Sequence, residues 1–597
     1  MKYPKLRVQQ ESRQMVDTFK GYNHNLRISM GEFFDMKNMT SDYYPVLSPR
    51  GKRGVYASPN KPTGLIAKDA LCYVDGSDFV INKYRVEMGL NDEPKQLISM
   101  GAYVIIMPDR KWIKTINEGT DEKPAFEHGK IDSTYTSPED DTGHPITVKF
   151  ELCTLTGDLI TAEPSDEEPK ELKNMAYWID TSSTPHTLKQ YSEASKMWVS
   201  IATTYIKISA PGIDKAFEVY DGVTISGVSD PSLQYLNASN VIWGKGEDYE
   251  GEGYIVVVGI LDNLISQDDQ VIVVERRMPD MDFITECNNR LWGCKYGDVA
   301  NGQVVNEIYA SKLGDFKNWN CFMGISTDSW VGSCGTDGQF TGAITHLGQP
   351  LFFKENCLHK VYVSSAGAHQ VQDTACRGVQ KGCEKSLAIV NETLFYKARS
   401  GVCAYDGSLP TEVSYVFGNE AYGEAVGGAH GNKYYISMKG VDGKSHLFVF
   451  DTAKGLWHRE DNLHAAAFCS CRGEMYAIDT NTNKILALLG TGELETEPVR
   501  WMAQTGELVL ESTDMKYISR LTVRLAMDIG SVIRMYAKYD MSDEWVSLCE
   551  LRGSSLRSFS IPIRPRRCDH MILRIEGEGN AKIYSITKTI AEGSDLS

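Results

Sequence analysis

Cys469-Ser470-Cys471 carries two thiols one residue apart. On a strand that spacing puts both side chains on one face, where they could share a metal. A closed site needs four ligands, and no neighbouring Cys or His completes the set. Gly440-Val441-Asp442-Gly443-Lys444-Ser445 holds the Gly-Lys-Ser of a phosphate loop, but Met438 stands where the first glycine belongs. A phosphate loop also leads into a helix N-terminus. Strand-like residues follow here, so the segment reads as a hairpin turn. Ser326-Thr327-Asp328-Ser329-Trp330 has part of the Asp-box of sialidase-type propellers, lacks its glycine and occurs once. There is no HExxH, CxxC, GxSxG or EF-hand pattern. The paired carboxylates of sugar hydrolysis come from separate strands and meet only in space, so a sequence does not locate them. No catalytic, cofactor-binding or metal-ligating residue is assigned, and the expectation is a chain that is not an enzyme and takes no cofactor.

Two other groups of residues look suited to contact. Asn288-Asn289-Arg290-Leu291-Trp292-Gly293 sets an arginine and a tryptophan close together at a strand start, where they could grip a partner by stacking. The plainer reading is a blade edge on which Trp292 packs and Arg290 caps a turn. Asn318-Trp319-Asn320 is similar. Arg564, Arg566 and Arg567 form a basic knot beside Pro562 and Pro565. Arg290, Trp292, Arg564, Arg566 and Arg567 are the candidate subunit or partner contacts.

The elements that must position these residues follow from a repeat. Apolar clusters recur at Leu351-Phe352-Phe353, Leu394-Phe395-Tyr396, Tyr434-Tyr435 and Met475-Tyr476, with steps of 43, 40 and 41 residues from Phe352 through Phe395 and Tyr435 to Tyr476. Each is followed by a second short apolar run, such as Val402-Cys403-Ala404-Tyr405 or Phe448-Val449-Phe450. A period of about 40–45 residues filled with strands is that of β-propeller blades. A single blade cannot bury both its faces, so neighbours must stack. Phe352, Phe395, Tyr435 and Tyr476 are expected at equivalent buried places.

The chain of 597 residues is too long for one core. Gly, Tyr, Val and Thr are plentiful, Asp-Gly turns recur and helical patterns are rare, so the class is all-β: a β-propeller with an inserted β domain and a C-terminal β-sandwich. The expected division is an N-terminal arm at 1–55, the propeller at 56–117 and 280–490, an inserted β domain with an acidic loop at 118–279, and the sandwich at 491–597. Residues 60–117 and 280–490 should form one propeller. The acidic loop holds Glu163, Asp166, Glu167, Glu168 and Glu171.

The formal net charge of −17 argues against a sequence-reading nucleic-acid binder, which shows a basic face. It is compatible with a wall past which DNA slides, since basic walls hold phosphates by counterion release. Of the 14 cysteines, Cys294, Cys403 and Cys469 sit inside apolar strand patterns, and Met1-Lys2-Tyr3-Pro4-Lys5 has no apolar signal core. Reduced thiols made in a cytoplasm are expected. No run reaches the roughly 18 apolar residues of a membrane helix.

The order of several motifs resembles the β-propeller tail proteins of tailed bacteriophages, called tail tubular, nozzle or packaged-DNA stabilisation proteins. The resembling pieces are Phe19-Lys20-Gly21-Tyr22-Asn23, Met36-Lys37-Asn38-Met39 and Pro49-Arg50-Gly51, then Asn289-Arg290-Leu291-Trp292-Gly293, Ile308-Tyr309-Ala310-Ser311, Gly314-Asp315-Phe316, Asn318-Trp319, Gly335-Thr336-Asp337-Gly338 and Leu351-Phe352-Phe353-Lys354. The likeness covers about half the chain and is strongest over 280–480. It implies a structural virion protein of the head-tail connector region, made in the bacterial cytoplasm. Such a protein would form a cyclic ring, usually a homo-hexamer, contact neighbouring adaptor and tail proteins, and retain then release DNA that it does not read. The alternative is a receptor-binding tail propeller that binds or cleaves glycans; an unrelated scaffold is a third reading.

Overall fold

The computed structural model describes residues 11–120, 124–170, 176–299, 302–364, 368–509, 516–540, 542–564 and 566–592. Met1 to Lys5, Glu171 and Pro565 lie outside them. The fold is all-β: a β-propeller with an inserted β domain and a C-terminal β-sandwich. Seven antiparallel sheets have the blade pattern among the described residues. The chain divides into two compact units, Ile98–Leu351 with His359–Asp373, and Met1–Leu97 with Phe352–Leu358 and Thr374–Ser597.

The second of these holds four blades. One is built from Pro62–Ala67, Leu71–Asp75, Asp78–Ile81 and Tyr84–Glu87. Two more start at Ala388–Val390 and Tyr422–His430. The last, Ala465–Cys471, Glu474–Asp479 and Lys484–Ala487, takes its next strand from the other end of the sequence, Gly54–Ala57. Gly54 is required there, since a Cβ would fall 1.7 Å from the Thr491 carbonyl oxygen. A chain-terminal strand closing a blade removes an open edge.

Two-residue hairpin turns set the phase of the repeat. Counting from the turns at Leu347-Gly348, Asn391-Glu392, Gly431-Asn432 and Arg472-Gly473, the third residue of the following strand is Leu351, Phe395, Tyr435 and Tyr476. Phe352 is buried, as are the other three expected residues, but it is one residue out of phase with them. Side chains alternate along a strand, so Leu351 holds the equivalent place. Phe395 stacks on Tyr434 of the next blade at 5.2 Å, and Tyr435 shares a core with Met475 and Ala477 of the blade after that.

The sandwich begins at Arg500–Thr505, not at 491, because Glu493–Leu494 still pairs with Gly54–Ala57. It is also not C-terminal alone. Glu11–Val16 pairs with Ala581–Glu592, and Glu32–Lys37 pairs with Arg500–Thr505, so the expected N-terminal arm is built into its sheet. Lys516–Tyr539 and Val546–Pro562 form a long hairpin. Two strands, His570–Glu578 and Ala581–Glu592, share the other flank of Lys516–Tyr539 end to end.

In the other unit, His128–Lys130 returns to the ladder of Lys111–Lys114, so that blade runs past the expected boundary at 117. The inserted domain holds the strands from Ser133–Thr136 to Val273–Arg276. Two sheets enclose a core that includes Phe150, Ile206, Phe217, Val223, Ile255 and Val274. A smaller sheet from Ala162–Ser165 to Met197–Ser200 carries part of the acidic stretch at its edge. The chain then enters the blade Phe283–Cys287, Arg290–Asp298, Val304–Ala310 and Trp330–Ser333.

Candidate functional site: a carboxylate and aromatic cleft

Arg290 and Trp292 lie at the start of the second strand of that blade, and both are buried. Arg290 donates to the carbonyls of Ser311, Ser326 and Asp328 at 2.6–2.8 Å. Trp292 donates its indole N–H to the Cys287 carbonyl. Both side chains are thus engaged within the chain, and the surface they were expected to offer a partner is not exposed. Arginine earns this place because its fork satisfies three carbonyls of an irregular loop at once. Within that loop Asp328 accepts the amides of Met323, Gly324 and Ile325 through one oxygen, at 2.6, 2.6 and 3.1 Å. The partial Asp-box is a loop brace. Asn318, also buried, accepts from the Gly222 amide and donates to Asp221 at 2.9 Å, which joins the loop to the inserted domain.

The loop so held forms one wall of an open cleft of about 540 Å³. Arg277, Met278, Pro279 and Asp280, where the chain leaves the inserted domain, form another. The blade supplies Val305, Glu307, Tyr309 and Val331, and the loop supplies Trp319, Asn320 and Phe322. Glu307 and Tyr309 alternate with buried Ile308 on one strand, so both point to the same face. Tyr309 donates its hydroxyl to Glu307 at 2.7 Å. Burial raises the Tyr309 phenol well above its ordinary value, and the Glu307 and Asp280 carboxylates add to this, so it remains a neutral donor. Asp280 is paired with Arg110, which also reaches Asp132 at 3.1 Å and the Met278 carbonyl at 3.0 Å. Phe322 is half exposed.

Chemically the cleft offers carboxylate acceptors beside apolar ring faces. That combination suits a polyhydroxylated ligand, whose hydroxyls donate and whose C–H faces stack. The sequence reading missed Asp280 and Glu307. They come from segments 27 residues apart, neither in a motif, and only Tyr309, Trp319 and Asn320 of the cleft had been singled out.

The other expected sites fall elsewhere. The Gly440 to Ser445 segment is the hairpin turn between Lys433–Gly440 and Ser445–Asp451. Cys469 and Cys471 share a face and pack in an apolar cluster with Leu71 and Tyr476. Burial pushes the Cys469 thiol up to about 12, against the thiolate that a metal requires. Arg564, Arg566 and Arg567 follow Val546–Pro562 and are exposed, with Arg566 5.6 Å from the Tyr539 ring centroid. Asp540, Asp569 and His570 bring three potential ligand atoms within 4.8 Å of one another, although two of them are adjacent in sequence and no metal pattern marks them. Asp540 spends one oxygen on the amides of Asp569 and His570.

No family model matches the chain, and no curated protein does. Solved structures do. An exo-β-1,3-galactanase from Phanerochaete chrysosporium with galactose is 7% identical, with a TM-score of 0.18 over 72% of this chain and 97% of that one. A glycoside hydrolase family 43 arabinoxylan arabinofuranohydrolase from Bacillus subtilis with cellotetraose is 10% identical, with a TM-score of 0.14 over 52% and 95%. An engineered family 43 enzyme with endo-xylanase and exo-arabinofuranosidase activity is 8% identical, with a TM-score of 0.20 over 52% and 98%. These are likenesses in fold alone and name no substrate for this chain. The expectation that the chain is not an enzyme is corrected beside these glycoside hydrolases, since it rested on a missing motif alone. The physical reason is that carboxylates on separate strands leave no sequence motif, so a missing motif excludes nothing.

Proposed function

We propose that this chain is a tail propeller of a bacteriophage whose cleft at Asp280, Glu307 and Tyr309 engages a surface glycan. The observation that carries this reading is the meeting of two carboxylates with Tyr309, Trp319 and Phe322 in one open cleft. Glu307 is poised as an acceptor by the Tyr309 hydroxyl. Bound sugar would stack on the exposed ring of Phe322 and donate hydroxyls to Glu307 and Asp280. Hydrolysis at this pair would need one carboxyl to serve as acid and the other as base or nucleophile. The test is a screen of bacterial surface polysaccharides for binding and for released reducing ends, using the full chain and its Glu307→Gln and Asp280→Asn variants. Binding by the wild type that both variants lose, with unchanged circular dichroism, supports the reading. Wild-type protein that neither binds nor cleaves any of them, or variants that bind as well as the wild type, would refute it.

A second reading is a ring-forming tail tube or nozzle component that extends the head-to-tail channel. What favours it is a long open edge strand in the sandwich, Val546–Pro562, followed by Arg564, Arg566 and Arg567 in a chain whose overall charge is −17. Electron microscopy of the purified protein separates the two, since a tube component forms closed rings.

A further inference from the structure

Val546–Pro562 pairs with Lys516–Tyr539 along most of its 17 residues, and among the described residues no strand covers its other flank. An open edge of that length offers a row of N–H and C=O groups that can template another strand. Its side chains are unusual for this protein. From Val546 to Arg567 there are five arginines, Arg552, Arg557, Arg564, Arg566 and Arg567, against one acid, Glu550, while the whole chain carries 79 acids and 62 bases. Arg552, Ser555, Leu556, Arg557, Ser558 and Ser560 are exposed. Arg552 is held by Glu550 at 2.6 Å, and Arg557 lies 4.2 Å from the Phe559 ring centroid.

We infer that this edge docks a second copy of the chain by strand addition, with an acidic segment of that copy lying along the arginines. The open main-chain ladder points to a polypeptide, since a nucleic acid has no peptide groups to continue it. An acidic segment laid on this edge makes the contact head-to-tail between unlike surfaces, the kind that generates rings or filaments. A second copy supplies the complement, because its excess charge is negative. This deepens the ring reading above and does not depend on the cleft.

The experiment is hydrogen exchange on the full chain across a hundredfold range of concentration, read beside native mass spectrometry. The expected result is oligomers at high concentration, with slower exchange in 546–562 than in the dilute protein. The Arg552→Glu, Arg557→Glu double variant should shift the assembly midpoint at least tenfold higher in concentration, with an unchanged melting curve. If that variant misfolds, the wild-type exchange data decide alone. A monomer at every concentration overturns the inference. So does an oligomer whose 546–562 amides exchange as in the monomer, which would leave the ring reading standing and remove this strand from it. Protection of the segment by duplex DNA at physiological salt, with none from raised protein concentration, also overturns it.

Discussion

Arg53 and Glu460, 407 residues apart in the chain, meet at 2.6 Å with both side chains buried. The same guanidinium reaches Asp461 at 2.6 Å, and Arg50 beside it reaches Glu495 at 3.3 Å. These pairs stand where the N-terminal segment enters the last blade at Gly54. They fix the register at which the two ends of the sequence close one sheet. Arg53→Ala leaves Glu460 buried without its partner, and such losses cost about 3–5 kcal/mol. Urea denaturation should show that loss, and Lys, which lacks the fork, should restore only part of it. A change below 1 kcal/mol would mean that closure does not depend on this pair.

His458 gives a pH dependence. It is fully buried, and neither ring nitrogen has a hydrogen-bond partner among the described residues. Burial, and after it the charge of Lys433, lower its value from 6.5 to about 3. Lys454 acts in the same direction, while Asp42 and Asp451 oppose it. The folded protein holds this imidazole neutral, and the unfolded chain protonates it below 6.5. Stability is therefore lost as pH falls from 6.5 towards 3, by about 1.4 kcal/mol per unit from this group. Asp42 and Asp451, both held below their ordinary value by hydrogen bonds and nearby lysines, add their loss at the acid end. Urea melts between pH 7 and 5 should slope accordingly, and His458→Leu should flatten the slope above pH 5. An unchanged slope in the variant would remove His458 as the cause.

Phe395 tests the blade repeat. Its ring is buried and stacks on Tyr434 at 5.2 Å with the planes 23° apart. Phe395→Ala should cost about 3–5 kcal/mol in chemical denaturation. Leu351→Ala should cost about 2–5 kcal/mol, since Leu351 holds the equivalent buried place. A surface-like loss at either position would break the alignment of the blades.

The thiols offer a chemical test. All 14 cysteines are free, and burial pushes Cys72, Cys153 and Cys469 up to about 12. Alkylation of these three by iodoacetamide at pH 8 should be slow in the folded protein and fast in urea, because the thiolate is the nucleophile. Dithiothreitol should leave the melting temperature almost unchanged, where loss of a structural disulfide would typically remove about 2–4 kcal/mol. A fall of many degrees on reduction would disprove the free-thiol state.

The sequence by itself determined the fold class and the blades. Both are local: apolar runs such as those in Lys433–Gly440 and Glu474–Asp479, and the turn residues between strands, are written in consecutive positions. The turn reading of Gly440 to Ser445 and the cap reading of Arg290 were legible for the same reason. Tertiary structure alone decided what depends on distant segments meeting. Nothing local shows that Gly54–Ala57 completes the last blade, or that Glu11–Val16 joins a sheet with Ala581–Glu592. The one-residue phase error at Phe352 came from counting aromatic residues, when the hairpin turn sets which side chain faces which way. The cleft was the least legible feature. Asp280, Glu307 and Phe322 lie on three different segments, and a site made by convergence has no spacing in the sequence to read.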